Sequence, residues 1–256
     1  MTDLGVAVVV EDDEDVRNLV EAVLSQAGFD VHGAASGREG VEVVRSQKAS
    51  VVTLDIGLND IDGFEVLRRI RQFSDAYVVM LTARTDELDT LTALHTGADD
   101  FMTKPFRPRE LRARVAAMMR RPRQHIAEPT SPEPAAVPSA GPVPPQDSMF
   151  RHNGLVLNPD TRSVTLDGTP ASLTRSEFDL LHALLKSAGA VRSKVDLVRV
   201  LRGEYYGADA YIGESDERAV EVHIGNLRRK LREDPVQPRW LQTIRGVGYR
   251  LAPERT

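Results

Sequence analysis

At 256 residues, with 41% hydrophobic and 28% charged residues and a net charge of −5, the chain has room for about two ordinary domains, each able to bury a core. It contains no cysteine, which excludes a disulfide framework and a thiolate metal site. No apolar run approaches the ~18–20 residues a membrane span needs, and neither a basic leader nor a signal-type apolar stretch precedes Val6, so a soluble, cytoplasmic protein without a membrane partner is expected.

The charge is unevenly placed. Residues 1–120 carry 14 Lys/Arg against 21 Asp/Glu, whereas residues 149–256 carry 17 against 14, and within 218–250 eight basic residues face three acidic ones. An acidic first half suits a cation and a basic C-terminal cluster suits a polyanion, although a solvated surface accounts equally well for so small an excess.

In chain order, Val6–Val10 is a continuous apolar run expected as a buried strand, ending at Glu11-Asp12-Asp13. Val16, Leu19, Val23 and Leu24 form a helical stripe that stops near Gly28. Val31–Ala34 is a short strand, and Ser36-Gly37-Arg38-Glu39 matches a capping box before an amphipathic helix. Val51–Leu54 is a second buried run, closed by Asp55 and a turn-rich Asn59-Asp60-Ile61-Asp62-Gly63. Phe64, Leu67 and Ile70 mark the next helix, Tyr77–Leu81 a strand ending at Thr82, and residues 86–96 a more polar helix. Phe101-Met102-Thr103 is the fifth strand, followed by Lys104-Pro105-Phe106 and a helix from Pro108 to about Arg121. Strand and helix alternating five times predict a doubly wound, flavodoxin-like α/β domain with a five-stranded parallel sheet over residues 1–121.

Residues 122–148 hold eight prolines among Ala, Ser and Glu and form an extended linker, with a reach on the order of 30 Å as coil and roughly 80 Å as polyproline. A tether of that length predicts loose contact or dimerisation as the means of communication, not a rigid joint. From residue 149 onward short strands are expected at Leu155–Leu157, Ser163–Leu166 and Ala171–Leu173, with Asp167-Gly168 as a hairpin turn. Thr174-Arg175-Ser176-Glu177 is a second capping box, opening a helix with Phe178, Leu181 and Leu185 on its stripe. Ser193 caps a helix over 194–201, and Gly203–Ser215 is expected as a loop. A third helix over about 216–231 carries Val220, Ile224, Leu227 and Leu231 as a core stripe. Opposite lie Arg218, Val222, Gly225 and Arg229, flanked by Asn226 and Arg232, with Lys230 adding to the positive charge. The hairpin Leu241–Arg250, with Arg245 beside Gly246 at its turn, completes a helix-plus-wing arrangement suited to DNA: an α+β winged-helix domain over 149–256.

The chemistry gathers at the strand ends of the first domain. In an open parallel sheet ligands bind beyond the carboxyl ends of the strands, and these ends deliver Glu11, Asp12, Asp55, Thr82 and Lys104. An isolated Asp at such a place more often starts a turn, Thr82 alone more often ends a strand, and Lys104 alone is more often solvated. Three converging carboxylates repel one another unless a cation sits among them, and an all-oxygen donor set points to Mg²⁺. Asp55 is then placed to attack phosphorus, with Lys104 and Thr82 contacting the transferred phosphoryl group.

The acidic pair Glu11-Asp12, Leu54-Asp55, Asp62-Gly63, Leu81-Thr82-Ala83, Gly97–Phe101 and Thr103-Lys104-Pro105-Phe106 give residues 6–120 a resemblance to response-regulator receiver domains. The second half resembles the OmpR/PhoB winged-helix output domain. The resemblance implies that Asp55 is the phosphoacceptor, that Asp12, Asp55 and the Gly57 carbonyl bind Mg²⁺ with Glu11 acting partly through water, and that Thr82 and Phe101 form a switch pair. It further implies Arg218 and Thr243 at phosphates, His223 and Asn226 facing DNA, and Arg245 as the wing contact; Arg229 and Lys230, on the basic third helix, are further candidate DNA contacts. His223 lies at the edge of the polar face, and a buried role suits it equally.

The partners implied are a sensor histidine kinase, double-stranded promoter DNA, RNA polymerase through the Gly203–Ser215 loop, and a second copy of the chain on activation. Gly57, Leu58 and Asn59 depart from the family's bulky residue and Leu-Pro, and Thr90 replaces a basic residue on the fourth helix. A somewhat altered rate of phosphoryl loss, with no side chain at position 57 to shield the group, and a weaker dimer are therefore expected, the latter with Asp99, Asp100, Glu110 and Arg114 still available for charge pairs. Gly225 and Asn226 stand where the family often has Arg, so an A/T-leaning site is expected.

Two other functions fit part of the same sequence. A regulator binding DNA without phosphorylation keeps the output half and loses the switch. An Mg²⁺-dependent phosphatase of the haloacid-dehalogenase type needs a second Asp two residues after the nucleophile, and position 57 is Gly.

Overall fold

The computed structural model describes residues 4–83, 87–119, 149–202, 212–234 and 236–254. The first half is a five-stranded parallel sheet in the order β2-β1-β3-β4-β5. Its strands are β1 (Val6–Val10), β2 (Asp30–Ala34), β3 (Val51–Asp55), β4 (Tyr77–Thr82) and β5 (Asp100–Thr103). Between them run α1 (Glu14–Gln26), α2 (Gly37–Ser46), α3 (Gly63–Ile70) and α4 (Glu87–Thr96), and α5 (Pro108–Met119) closes the half. Every residue of β3 and β4 is buried, which is why both segments are almost uninterrupted apolar runs. Val8, Val10, Val52, Leu54, Val78 and Met80 face α2 and α3, and Ala7, Val9, Val51, Tyr77, Val79 and Leu81 pack in the core with α1 and α5. Alternate residues of each strand thus feed two separate cores.

The helix starts follow local chemistry. Asp13, Ser36 and Asp62 each accept backbone N–H groups at the first turn of α1, α2 and α3. Leu19 is the exception to the predicted stripes: it is 44% exposed, and Val20, one residue on, takes its place against Val23 and Leu24. A step of one residue turns a helix by about 100°, so Val16 and Val23 align with Val20.

The second half comprises β6 (Phe150–His152), β7 (Leu155–Asn158), β8 (Ser163–Leu166), β9 (Thr169–Pro170), α6 (Arg175–Lys186), β10 (Arg192–Ser193), α7 (Lys194–Arg202), α8 (Glu214–Leu231), β11 (Leu241–Ile244) and β12 (Gly248–Leu251). Four strands, β6 to β9, form an antiparallel meander, and β10-β12-β11 form a small sheet carrying the hairpin. Both sheets enclose one core with α6, α7 and α8, in which Val220, Ile224, Leu227 and Leu231 are fully buried as the spacing predicts. The predicted Ala171–Leu173 strand is displaced. The two-residue turn at Asp167-Gly168 sets Leu166 opposite Thr169, so pairing is used up at Pro170, apart from the Ala171 N–H bonded to Val164 O. The linker at 122–148 and most of the Gly203–Ser215 loop lie outside the described residues. The two halves are packed together in place of the predicted loose contact: α8 lies on α4, and α7 on α5. Linker composition sets reach and says nothing about the complementarity of the surfaces it joins. Among the described residues no helix is long and apolar enough to cross a membrane.

Gly63 has a packing reason. A Cβ there would lie 2.3 Å from Asp55 O and 2.8 Å from Ile56 Cα, so α3 starts against the backbone that carries the carboxylate. Gly63→Ala is expected to destabilise the first half by about 1–3 kcal/mol, as overpacking against rigid backbone does, read as a lower urea midpoint.

Candidate functional site

Parallel pairing brings the ends of β1, β3, β4 and β5 together at one edge. Glu11, Asp12 and Asp55 each place a carboxylate oxygen within 4.8 Å of the others. Lys104, just beyond β5, reaches across: its Nζ donates to Glu11 Oε1 and Oε2 at 2.8 and 2.7 Å and lies 3.2 Å from Asp55 Oδ2. The Lys104 N–H is bonded to Thr82 O, and the Ile56 N–H to Leu81 O, which locks the loops in register. Burial pushes the Glu11 carboxyl above its usual range; the Lys104 hydrogen bond opposes that, and the charge of Asp55 adds to it. Thr82 is buried beside this edge, and Phe101 is half-buried on the neighbouring strand. Gly57 is exposed, and a Cβ there would sit 3.7 Å from Asp55 Oδ2, within reach of whatever Asp55 carries.

Two supports were not legible in the sequence. Arg17 Nη1 donates to Glu11 O at 2.8 Å and to Asp12 O at 3.4 Å, holding the acidic turn from α1. Asp60 accepts from the Gly37 and Arg38 N–H groups at 2.7 and 3.0 Å, tying the loop after β3 to the start of α2. Only an Asp in a turn-rich loop and an Arg within the first helix marked them.

The DNA-facing candidates divide. Arg218, Arg229, Thr243 and Arg245 are exposed. Arg228 Nη2, unmarked by helical spacing, donates to Leu241 O at 3.0 Å and Thr243 Oγ1 at 2.7 Å, bracing α8 against the wing. Lys230 Nζ is 2.6 Å from Glu177 Oε2. His223 and Asn226 are 1% and 2% exposed, covered by the first half of the chain. Asn226 Nδ2 donates to Leu94 O at 2.8 Å, His223 Nε2 lies 3.3 Å from Asp99 O, and Arg229 Nη2 is 3.4 Å from His95 O. The α6 start joins this contact: Ser176 N–H donates to Asp99 Oδ1 at 3.2 Å, Arg175 Nε donates to Asp75 O at 3.0 Å, and Tyr77 Oη lies 3.4 Å from Asp179 Oδ2.

Of the four residues expected to serve a dimer face, all have partners within the chain. Asp99 bonds Arg71 at 2.7 Å and the Val78 N–H at 2.9 Å, and Arg114 holds Asp100 at 2.7 Å and Glu110 at 2.9 Å. A cavity of about 570 Å³ remains between the halves, lined by Leu94, Phe101 and Arg107 on one side and Arg202, Glu214 and Arg218 on the other.

Residues 7–116 match the family described as response regulator receiver domain, and residues 168–251 match transcriptional regulatory protein, C terminal. Among solved structures, a putative response regulator from Chloroflexus aurantiacus is 33% identical, with 46% of this chain and 98% of that one covered and a TM-score of 0.44. DrrB of Thermotoga maritima, described as an OmpR/PhoB homologue, is 27% identical over 97% of this chain and 99% of that one, with a TM-score of 0.46. A cysteine-to-aspartate mutant of RitR covers 97% of this chain and 99% of that one at 20% identity with a TM-score of 0.70, a likeness of fold.

The Asp99–Arg71 pair is a buried ion pair, so removing its cation leaves an uncompensated carboxylate. Arg71→Ala is expected to cost about 3–5 kcal/mol, measured as a loss of unfolding free energy in urea at neutral pH.

Proposed function

The chain belongs to the two-component response regulators of the OmpR/PhoB type, and from that premise we propose that it is a transcriptional regulator switched by phosphorylation of Asp55. A carboxylate oxygen of Asp55 attacks the phosphorus of a phosphohistidine on a sensor kinase; the P–N bond of the donor breaks as the new P–O bond forms, leaving an aspartyl phosphate. Lys104 pairs with the incoming phosphoryl oxygens in exchange for part of its hold on Glu11, and the Thr82 hydroxyl donates to another. The oxygen-only cluster of Glu11, Asp12 and Asp55, with Glu11 disfavoured as an anion by burial, fits a hard divalent cation. Asp12, Asp55 and the Gly57 carbonyl would hold Mg²⁺, which supplies charge neutralisation at the phosphoryl oxygens.

The observation that carries the reading is the contact between α8 and the α4–β5 face. Asn226 and His223, which would face DNA, are held by Leu94 O and Asp99 O, and Phe101 lines the cavity between the halves together with Leu94. A movement of Thr82 and Phe101 on phosphorylation alters the face that covers the DNA-reading helix, which supports release as the link between the two events. Arg218, Arg229, Lys230, Thr243 and Arg245 then engage phosphates and bases, two copies of the chain occupy a repeated site, and affinity falls steeply with salt. The cytoplasm, where kinase and promoter are both accessible, is the compartment this reading requires.

Footprinting with a small phosphodonor and Mg²⁺ is expected to show occupancy of promoter DNA rising by roughly 5–150-fold in affinity for the wild type and not for Asp55→Asn. An unchanged protein mass and unchanged occupancy after phosphodonor treatment would end the reading. Gly57→Met is expected to lengthen the life of the aspartyl phosphate by placing a side chain over Asp55 Oδ2, measured as phosphate release over time. Selection from random duplexes is expected to return A/T-leaning sites, because Asn226 suits adenine; G-rich sites would contradict that assignment.

A further inference from the structure

His223 is the single ionisable side chain of α8 that is fully buried among the described residues of that helix, and its polar partner is a backbone carbonyl. We propose that His223 makes the docking of α8 on the receiver proton-sensitive: the closed arrangement accepts only the neutral imidazole, and mild acid releases the helix without a phosphodonor.

The argument is one of unavailable counter-charge. Three carboxylates face His223, Asp99 and Asp100 from β5 and its approach and Glu177 from α6. Each is already paired: Asp99 with Arg71 at 2.7 Å, Asp100 with Arg114 at 2.7 Å, and Glu177 with Lys230 at 2.6 Å. Of the other groups at this contact, Asp179 is paired with Arg162 at 3.0 Å and Asp75 lies 3.4 Å from Arg175, while Arg229 on α8 and His95 on α4, whose Nδ1 lies 3.4 Å from Asn226 Oδ1, add no carboxylate. A neutral imidazole satisfies Asp99 O with one N–H. An imidazolium would bring a second N–H and a full charge into a site with no solvent. Burial accordingly depresses the His223 pKa, and the surrounding carboxylates offset this only in part. Once α8 leaves the receiver, the ring meets water and titrates near its ordinary value of about 6.5.

The sign follows from linkage. Because the closed form binds the proton more weakly, closing is undiminished above about pH 6.5. It then weakens about tenfold per pH unit below that, for as long as the closed imidazole stays neutral. Released in this way, His223 also presents a positive charge on the helix that meets DNA.

The inference rests on the proposed function only in taking α8 as the DNA-reading helix; the opening itself is measured without DNA. The 256-residue chain is followed by small-angle X-ray scattering from about pH 8 to about pH 5.5, as wild type and His223→Gln, whose amide can still donate to Asp99 O and does not titrate. The imidazole signal of the wild type is followed in parallel by NMR. Expected are expansion of the wild type on acidification, coinciding with protonation of His223, and a variant that stays compact throughout. A wild type that stays compact, or a variant that expands with the same profile, overturns the proton latch. If the variant is open at every pH, the NMR titration decides: a His223 midpoint at the ordinary value, or one unconnected with expansion, overturns it, and a depressed midpoint tracking expansion upholds it. A further arm adds phosphodonor and Mg²⁺ at about pH 8. Expansion there with none in acid refutes the latch and leaves the phosphorylation reading intact; expansion in acid alone does the reverse.

Discussion

Asp99 has no solvent exposure at its side chain and spends both carboxylate oxygens on other parts of the fold. Oδ2 takes the Arg71 guanidinium after α3 and the Val78 N–H of β4, and Oδ1 takes the Ser176 N–H in the first turn of α6. Its own carbonyl meets His223 of α8. A carboxylate removed from water is costly unless its charge and lone pairs are all matched, so these partners are held to one geometry. Because two of them belong to the C-terminal half, the requirement that keeps β4 and β5 in place also seats the output domain.

At the far end of β5 the same problem is met differently. Glu11, Asp12 and Asp55 crowd together with one ammonium among them, that of Lys104, and it is shared. The cluster is left short of positive charge. That shortfall, on an all-oxygen donor set, is compatible with a hard divalent cation. Four residues of β5, about 13 Å of strand, separate a charge-satisfied contact with α8 from a charge-deficient pocket. Phe101 sits between them. Under the proposed function, loading one end of β5 while the other is packed against the C-terminal half would couple the two, as two arrangements of packed groups and not as a continuous deformation.

In the C-terminal half, the helix proposed to read DNA is buried on two sides. α8 buries Val220, Ile224, Leu227 and Leu231 in its own core and packs a second face against α4. That face carries Val222, His223 and Asn226, all buried, and the imidazole and the amide meet Asp99 O and Leu94 O, which compensates them for lost water. Arg218, Arg229 and Arg245 remain exposed, leaving a basic margin around a covered centre. The wing is independent of the covering surface, being fixed by Arg228 and by Glu233, which accepts the N–H groups of Arg239, Trp240 and Leu241.

What the residues by themselves determined is whatever depends on near neighbours in the chain. Alternating buried strands and capped helices, the carboxylates and lysine at successive strand ends, and the 220–224–227–231 stripe were all legible, because period and capping are local properties and parallel βα order fixes which edge is shared. Leu19 was misplaced because one residue of phase is invisible until a neighbour packs, and the β9 end because turn geometry sets register. Arg17, Arg228 and Asp99 gained their roles only through contacts distant in sequence, which no spacing announces. The seating of His223 and Asn226 against Leu94 and Asp99 was decided by tertiary structure alone: a proline-rich tether permits many arrangements, and the one adopted depends on shape, charge pairing and desolvation between two surfaces that the chain order never brings together.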